Sequence, residues 1–109
     1  MAELLAHPPT ECLRKEAADA GATFRRLRDE LLAAGPLDRA TCELIVIAGL
    51  ATAGFEDSFK IHSQRLLDMG VPLAALKHAV MVNLGASSAI FQVARALQWI
   101  DELAAKQPS

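Results

Sequence analysis

Four glycines, Gly35, Gly54, Gly70 and Gly85, divide this chain into stretches whose apolar residues recur at helical intervals. No stretch alternates apolar and polar residues as a half-buried strand does. The breaks leave only short connections, so successive helices fold back on one another. The expectation is an all-α protein of about five helices built on an antiparallel helical hairpin.

The first predicted helix runs from about Glu11 to Ala34, with Thr10 as its candidate N-cap after Pro8-Pro9. Its stripe, Leu13, Ala17, Ala20, Phe24, Leu27 and Leu31, has the spacing of a core-facing surface, and Gly21 inside it is a point of weakness. Gly35-Pro36 ends this helix, and Asp38 caps a second that runs from about Arg39 to Ala53. After Glu43 the second helix carries no charge before Glu56. It is apolar on nearly every side and is expected to be the most buried. A third helix spans about Glu56 to Met69, with Glu56 and Asp57 in the first turn, where the helix dipole favours acids. The fourth opens near Pro72 and runs to about Leu84. Gly85-Ala86-Ser87-Ser88 separates it from a fifth, which reaches about Ala105 and shows Ile90, Val93, Ala94, Leu97 and Ile100 on one face. Lys106 to Ser109 is expected to fray, and His7 to lie in a segment without structure.

A chain of 109 residues is expected to form one domain. It is 52% hydrophobic, more than one small core absorbs, so a homo-oligomer is expected. Eleven basic and thirteen acidic residues give a net charge of −2. The one basic cluster, Arg25-Arg26-Arg28, runs straight into Asp29-Glu30 and reads as a solvated helix face, so no nucleic-acid partner is expected. The longest uncharged apolar run, Leu44 to Phe55, is twelve residues, against about twenty for a bilayer span. Met1 to Pro9 lacks the basic start of a secretory signal. The reading is a cytoplasmic protein with no membrane partner. Cys12 and Cys42 are then expected to be reduced and mostly buried thiols.

The chemistry of the chain concentrates in Glu43, Ser58 and His62. Ser58 and His62 are four residues apart on the third predicted helix and share a face. His62 falls in the stripe Phe55, Phe59, His62, Leu66, Met69, where an imidazole needs polar partners. If the hairpin turns near Gly54-Phe55, Glu43 and His62 are offset along it by only about 5 Å. The carboxylate and the ring can therefore meet directly or through one water, with Ser58 beside them. The structural alternative is a core histidine bonded to a helix-start acid, with Ser58 bonding backbone. His78 and Asn83, on the fourth helix, read as surface residues. No metal is expected, because the histidines lack zinc-ligand spacing, and no cofactor is implied.

From about Leu37 to Leu84 the chain resembles the carboxymuconolactone decarboxylase family, which includes the alkylhydroperoxidase D group. The likeness rests on Arg39-Ala40-Thr41-Cys42-Glu43-Leu44-Ile45, on His62 nineteen residues after the Glu, and on Arg65-Leu66-Leu67-Asp68-Met69-Gly70-Val71-Pro72. It implies an alkylhydroperoxidase D-like all-helical fold and a homo-oligomer, commonly a trimer or a hexamer. In the peroxidase branch the motif is Cys-x-x-Cys-x-x-x-His with the upstream Glu. Here Phe55 and Ser58 stand at the two cysteine positions. A thiolate is the reductant of that chemistry, and Cys42, turned about 100° around the helix from Glu43, does not replace it. The decarboxylase branch fits the remaining residues. There His62 serves as acid and base, Glu43 as its partner, and Ser58 as a hydrogen-bond donor, acting on an unidentified small carboxylated substrate. The competing expectation is a non-catalytic helical oligomer used for binding or assembly.

Overall fold

The computed structural model describes residues 9–108, and His7 lies outside them. Among the described residues the chain forms six helices: α1 (Pro9–Glu16), α2 (Ala18–Ala33), α3 (Arg39–Ala53), α4 (Glu56–Asp68), α5 (Leu73–Met81) and α6 (Ile90–Ala105). There is no strand among these residues, only one isolated bridge between Leu84 and Ser88. None of these helices is long and apolar enough to cross a membrane. The chain divides into two compact units, Met1–Leu37 and Asp38–Ser109.

In the first unit the single long helix expected from the sequence is broken at Ala17, whose φ of −148° and ψ of 86° leave the helical region. The break lets α1 fold onto α2, and the contact explains Gly21. A Cβ there would sit 2.6 Å from Arg14 Cγ and 2.8 Å from Arg14 Cα, so only glycine admits the approach. Thr10 lies inside α1, after Pro9 as its first residue, and is not the N-cap. The expected core-facing stripe is not buried either: Leu13, Phe24, Leu27 and Leu31 are all exposed. Two short helices enclose too little volume to bury a whole apolar stripe between them. Cys12 is exposed and Cys42 half-buried, so the expectation of mostly buried thiols fails for Cys12.

The second unit is a four-helix core in which each of α3 to α6 packs on the other three. Asp38 caps α3 as the sequence predicts, its Oδ1 accepting the Thr41 N–H at 2.8 Å. Gly54 ends α3 in the left-handed conformation, φ +82°, with its N–H donated to the Leu50 carbonyl. Phe55 follows and α4 begins at once, so α3 and α4 form the antiparallel hairpin. Ile47 and Ala51 from α3, Phe59 and Leu66 from α4, Leu76 and Val80 from α5, and Val93, Ala96, Trp99 and Ile100 from α6 make the core.

Three details differ from the sequence reading. α3 buries only Glu43, Ile47 and Ala51, whereas α6 buries Val93, Ala96, Trp99, Ile100 and Leu103, so α6 is the more enclosed helix. The buried face of α6 is also rotated from the expected one, leaving Ile90 and Ala94 exposed. Trp99 lies on the buried face. Its ring packs on Phe59 with centroids 5.4 Å apart, and Arg95 lies 5.1 Å over its face. Last, α5 stops at Met81 rather than Leu84, because the Asn83 carbonyl accepts the N–H groups of Ala86, Ser87 and Ser88 and reverses the chain. Thr52, Ser88 and Gln92 then join three segments. The Thr52 and Ser88 hydroxyls are 2.5 Å apart, and Gln92 Nε2 donates to the Thr52 carbonyl while its Oε1 accepts the Ala89 N–H.

The hairpin turn depends on Gly54. Replacing it by Ala forces a Cβ into a left-handed residue and pushes against Arg95 Nη2, 2.8 Å from the Cβ position. The arginine end can move, so the backbone dominates the cost, and urea unfolding of Gly54→Ala should show a loss of about 1–2 kcal/mol. An unchanged midpoint would contradict this account of the turn.

Lys60 ties α4 to α6, donating to Glu102 at 2.6 Å and to Glu56 at 2.9 Å. Burial works against its charged form, but the hydrogen bonds to Glu102 and Glu56 prevail and hold its pKa above the ordinary 10.5. The hydrogen bond from Lys60 lowers the pKa of Glu102 below 4.5. A depressed carboxylate stabilises the fold above its unfolded pKa and ceases to as pH falls through the folded value. A raised lysine stabilises below its unfolded pKa and ceases to as pH rises through the folded value. Between these limits the contribution is constant. The stability deficit of Lys60→Met, read by urea unfolding, should therefore shrink between about pH 7 and about pH 3. An equal deficit at both would refute it.

Candidate functional site

The buried face of α3 begins with a charged residue. Glu43, Ile47 and Ala51 are spaced by one helical turn each, and Glu43 is fully buried. A lone carboxylate in such a place would cost several kcal/mol. Glu43 is not alone, because each of its oxygens has its own partner. Oε2 lies 2.6 Å from His62 Nδ1, across the hairpin on α4. Oε1 accepts from Arg39, one turn earlier on α3, with Nε at 3.3 Å and Nη2 at 3.2 Å. The hairpin thus brings Glu43 and His62 into direct contact, the shorter of the two arrangements the sequence allows.

The contact fixes the ring. An ionised carboxylate only accepts, so Nδ1 carries the proton that points at Glu43. Arg65 Nη1 also lies 3.4 Å from Nδ1. A guanidinium only donates, and Nδ1 has no lone pair left to receive it. Arg65 is therefore a neighbouring charge, not a hydrogen-bond partner of the ring. Among the described residues, Ser63 Oγ is the one sealed side-chain polar atom without a partner. Nε2 of His62 makes no hydrogen bond either, yet it is not sealed, and the side chain keeps 14% of its surface exposed. The imidazole is thus held by one nitrogen and open at the other, the arrangement of a proton-transferring histidine oriented by a carboxylate.

Ser58 sits one turn before His62 on α4, half-buried, and no hydrogen bond joins it to His62 or Glu43. Phe55, at the other family cysteine position, is the N-cap of α4 and is 61% exposed. His78 is exposed, and Asn83 lies in the turn after α5. No cluster of three or more His, Cys, Asp or Glu side chains among the described residues could hold a metal ion.

Sequence reasoning overlooked the two arginines. Arg39 entered it as a helix start and a letter of a motif, and Arg65 only as a letter of a motif, although their spacing was informative. Arg39 is four residues before Glu43 and Arg65 three after His62, both intervals that place side chains together on a helix. In the structure the cluster is Arg39, Glu43, His62 and Arg65.

No curated protein and no solved structure matches the chain. The carboxymuconolactone decarboxylase family model matches residues 18–102, beyond both ends of the segment on which the resemblance first rested. The match takes in α2 through nearly all of α6, including Glu43, Ser58, His62 and both arginines. The chain belongs to the carboxymuconolactone decarboxylase family.

Proposed function

We propose that this protein is a small-molecule enzyme of decarboxylase type that uses His62 and Glu43 for non-redox acid–base chemistry on a carboxylated substrate. The observation that carries the reading is the 2.6 Å bond between His62 Nδ1 and Glu43 Oε2 on a ring whose Nε2 stays open. In the step envisaged, the bond between the substrate carbon and its carboxylate breaks and CO₂ leaves. The electron pair passes into an adjacent carbonyl as an enolate. The protonated His62 then delivers the proton from Nε2 to carbon, and the ring regains one from solvent, so carboxylate plus one proton gives product plus CO₂. Glu43 stabilises the imidazolium through Nδ1–H and keeps the ring aimed. Ser58, on the same face, donates a hydrogen bond to substrate. All of these groups come from the chain itself.

The same reading makes the protein a cytoplasmic homo-oligomer, a trimer or a hexamer. Ile45, Ile61, Met69, Met81, Val82, Leu84, Ile90 and Phe91 are all exposed, Phe91 to 85%, which supports association through apolar surface. Sedimentation at micromolar concentration tests this, and a monomer would overturn it.

A thermal-shift screen of carboxylated lactones and related aromatic acids should find ligands that raise the melting temperature. CO₂ release from a binding compound should fall at least about 100-fold in His62→Gln, with the circular dichroism spectrum retained. Full turnover by that variant would remove His62 from the chemistry.

The reading also denies the protein an efficient thiol peroxidase cycle, since Phe55 and Ser58 replace the sulfur pair. Peroxide-dependent oxidation of a dithiol should stay at background. Turnover that Cys42→Ser abolishes would contradict it.

A further inference from the structure

We propose that Arg65 is the specificity residue of this site, receiving a substrate carboxylate and setting it beside the open nitrogen of His62. The inference rests on the acid–base reading for its substrate but on separate observations for its residue. The first is a charge imbalance. Glu43 and Arg65 both reach His62, and Arg39 pairs with Glu43 behind it, so the cluster holds two positive charges and one negative. Arg39 bonds Oε1 of Glu43 and His62 bonds Oε2, and neither oxygen bonds Arg65. Among the described residues no carboxylate, Glu43 included, lies within ion-pair distance of Arg65. Asp68, three residues on, accepts from Gln64 instead at 2.9 Å.

The second observation is the position of the guanidinium. A basic residue in the last turn of α4 is explained by the helix dipole. That does not explain why its Nη1 stands 3.4 Å from a ring nitrogen whose proton points elsewhere. Against a ring that must carry a proton in the reaction, such a cation is unfavourable until an anion joins it. A carboxylate meets the requirement. The planar fork of Arg65 takes both carboxylate oxygens, and the rest of the ligand extends over the imidazole edge. Arg65 is exposed, so the fork is reachable from solvent. Arg39, already committed to Glu43, is the positioning residue that leaves Oε2 for His62.

Succinate and benzoate serve as probes in an NMR titration of the wild-type protein, with sodium chloride at equal ionic strength as the control. Saturable shifts should appear at the Arg65 side chain and the His62 ring with the carboxylates and not with chloride. Arg65→Gln should weaken binding at least about tenfold, the loss expected for a charged hydrogen-bond pair, and Arg65→Lys should recover part of it. His62→Gln should still bind the probes, which separates anion recognition from proton transfer. Arg25→Gln, in the other unit and paired with Asp29, should change nothing. With a turned-over substrate in hand, Arg65→Gln should raise KM more than it lowers kcat. Absence of saturable carboxylate binding in the wild type, or equal binding by Arg65→Gln, overturns the proposal even if His62 proves catalytic. Carboxylate binding that depends on Arg65 in a protein with no turnover sustains it while the acid–base reading fails.

Discussion

The second unit is organised around one buried negative charge. A carboxylate on the core face of α3 is tolerated only while His62 and Arg39 hold its two oxygens. That requirement fixes how α4 lies against α3. Sliding the hairpin by one helical turn would leave Phe59 or Leu66 opposite Glu43 and strand the carboxylate among apolar atoms. Hydrophobic burial is less selective, since contacts among Ile47, Ala51, Phe59 and Leu66 are non-directional. The polar contact selects one alignment from several, and the same contact orients the imidazole.

Much of this was legible in the sequence because it is local. The caps at Asp38 and Gly54 are each decided by a few adjacent residues, and both stand where the sequence puts them. The meeting of Glu43 with His62 followed from a two-residue turn and a helical rise. What escaped depended on partners far along the chain. The buried face of α6, Val93, Ala96, Ile100 and Leu103, is also helically spaced, so periodicity fits two faces, and what tells them apart is Trp99 against Phe59, forty positions away. The break at Ala17 lets Gly21 close against Arg14, and an isolated glycine in a stripe signals weakness without saying where the helix parts. Ser58 shows the limit at the site. Its place on the His62 face was readable, but the geometry gives it no bond to either partner.

The arginines are a different kind of omission. Their intervals to Glu43 and His62 were visible, but a charged residue at a helix end has a sufficient explanation in solvation and dipole. Only the distances separate them. Arg39 is consumed by the buried carboxylate, whereas Arg65 stands against the ring without a negative partner. Two residues alike in charge and in distance from the motif therefore do different work, one internal to the protein and one directed outward.

The short turn at Gly54-Phe55 has a consequence for how such a chain can diverge. Glu43 and His62 are held in register by a fixed count of residues on either side of that turn. Inserting or deleting a single residue in α3 between Glu43 and Gly54 would swing the carboxylate about 100° around the helix and shift it about 1.5 Å along it. The carboxylate would leave the ring. The helices can therefore change composition freely on their exposed faces, but the segment from Glu43 to His62 acts as a ruler whose length is not negotiable. Variation in length belongs outside it, in the connections before Asp38 and after Met81.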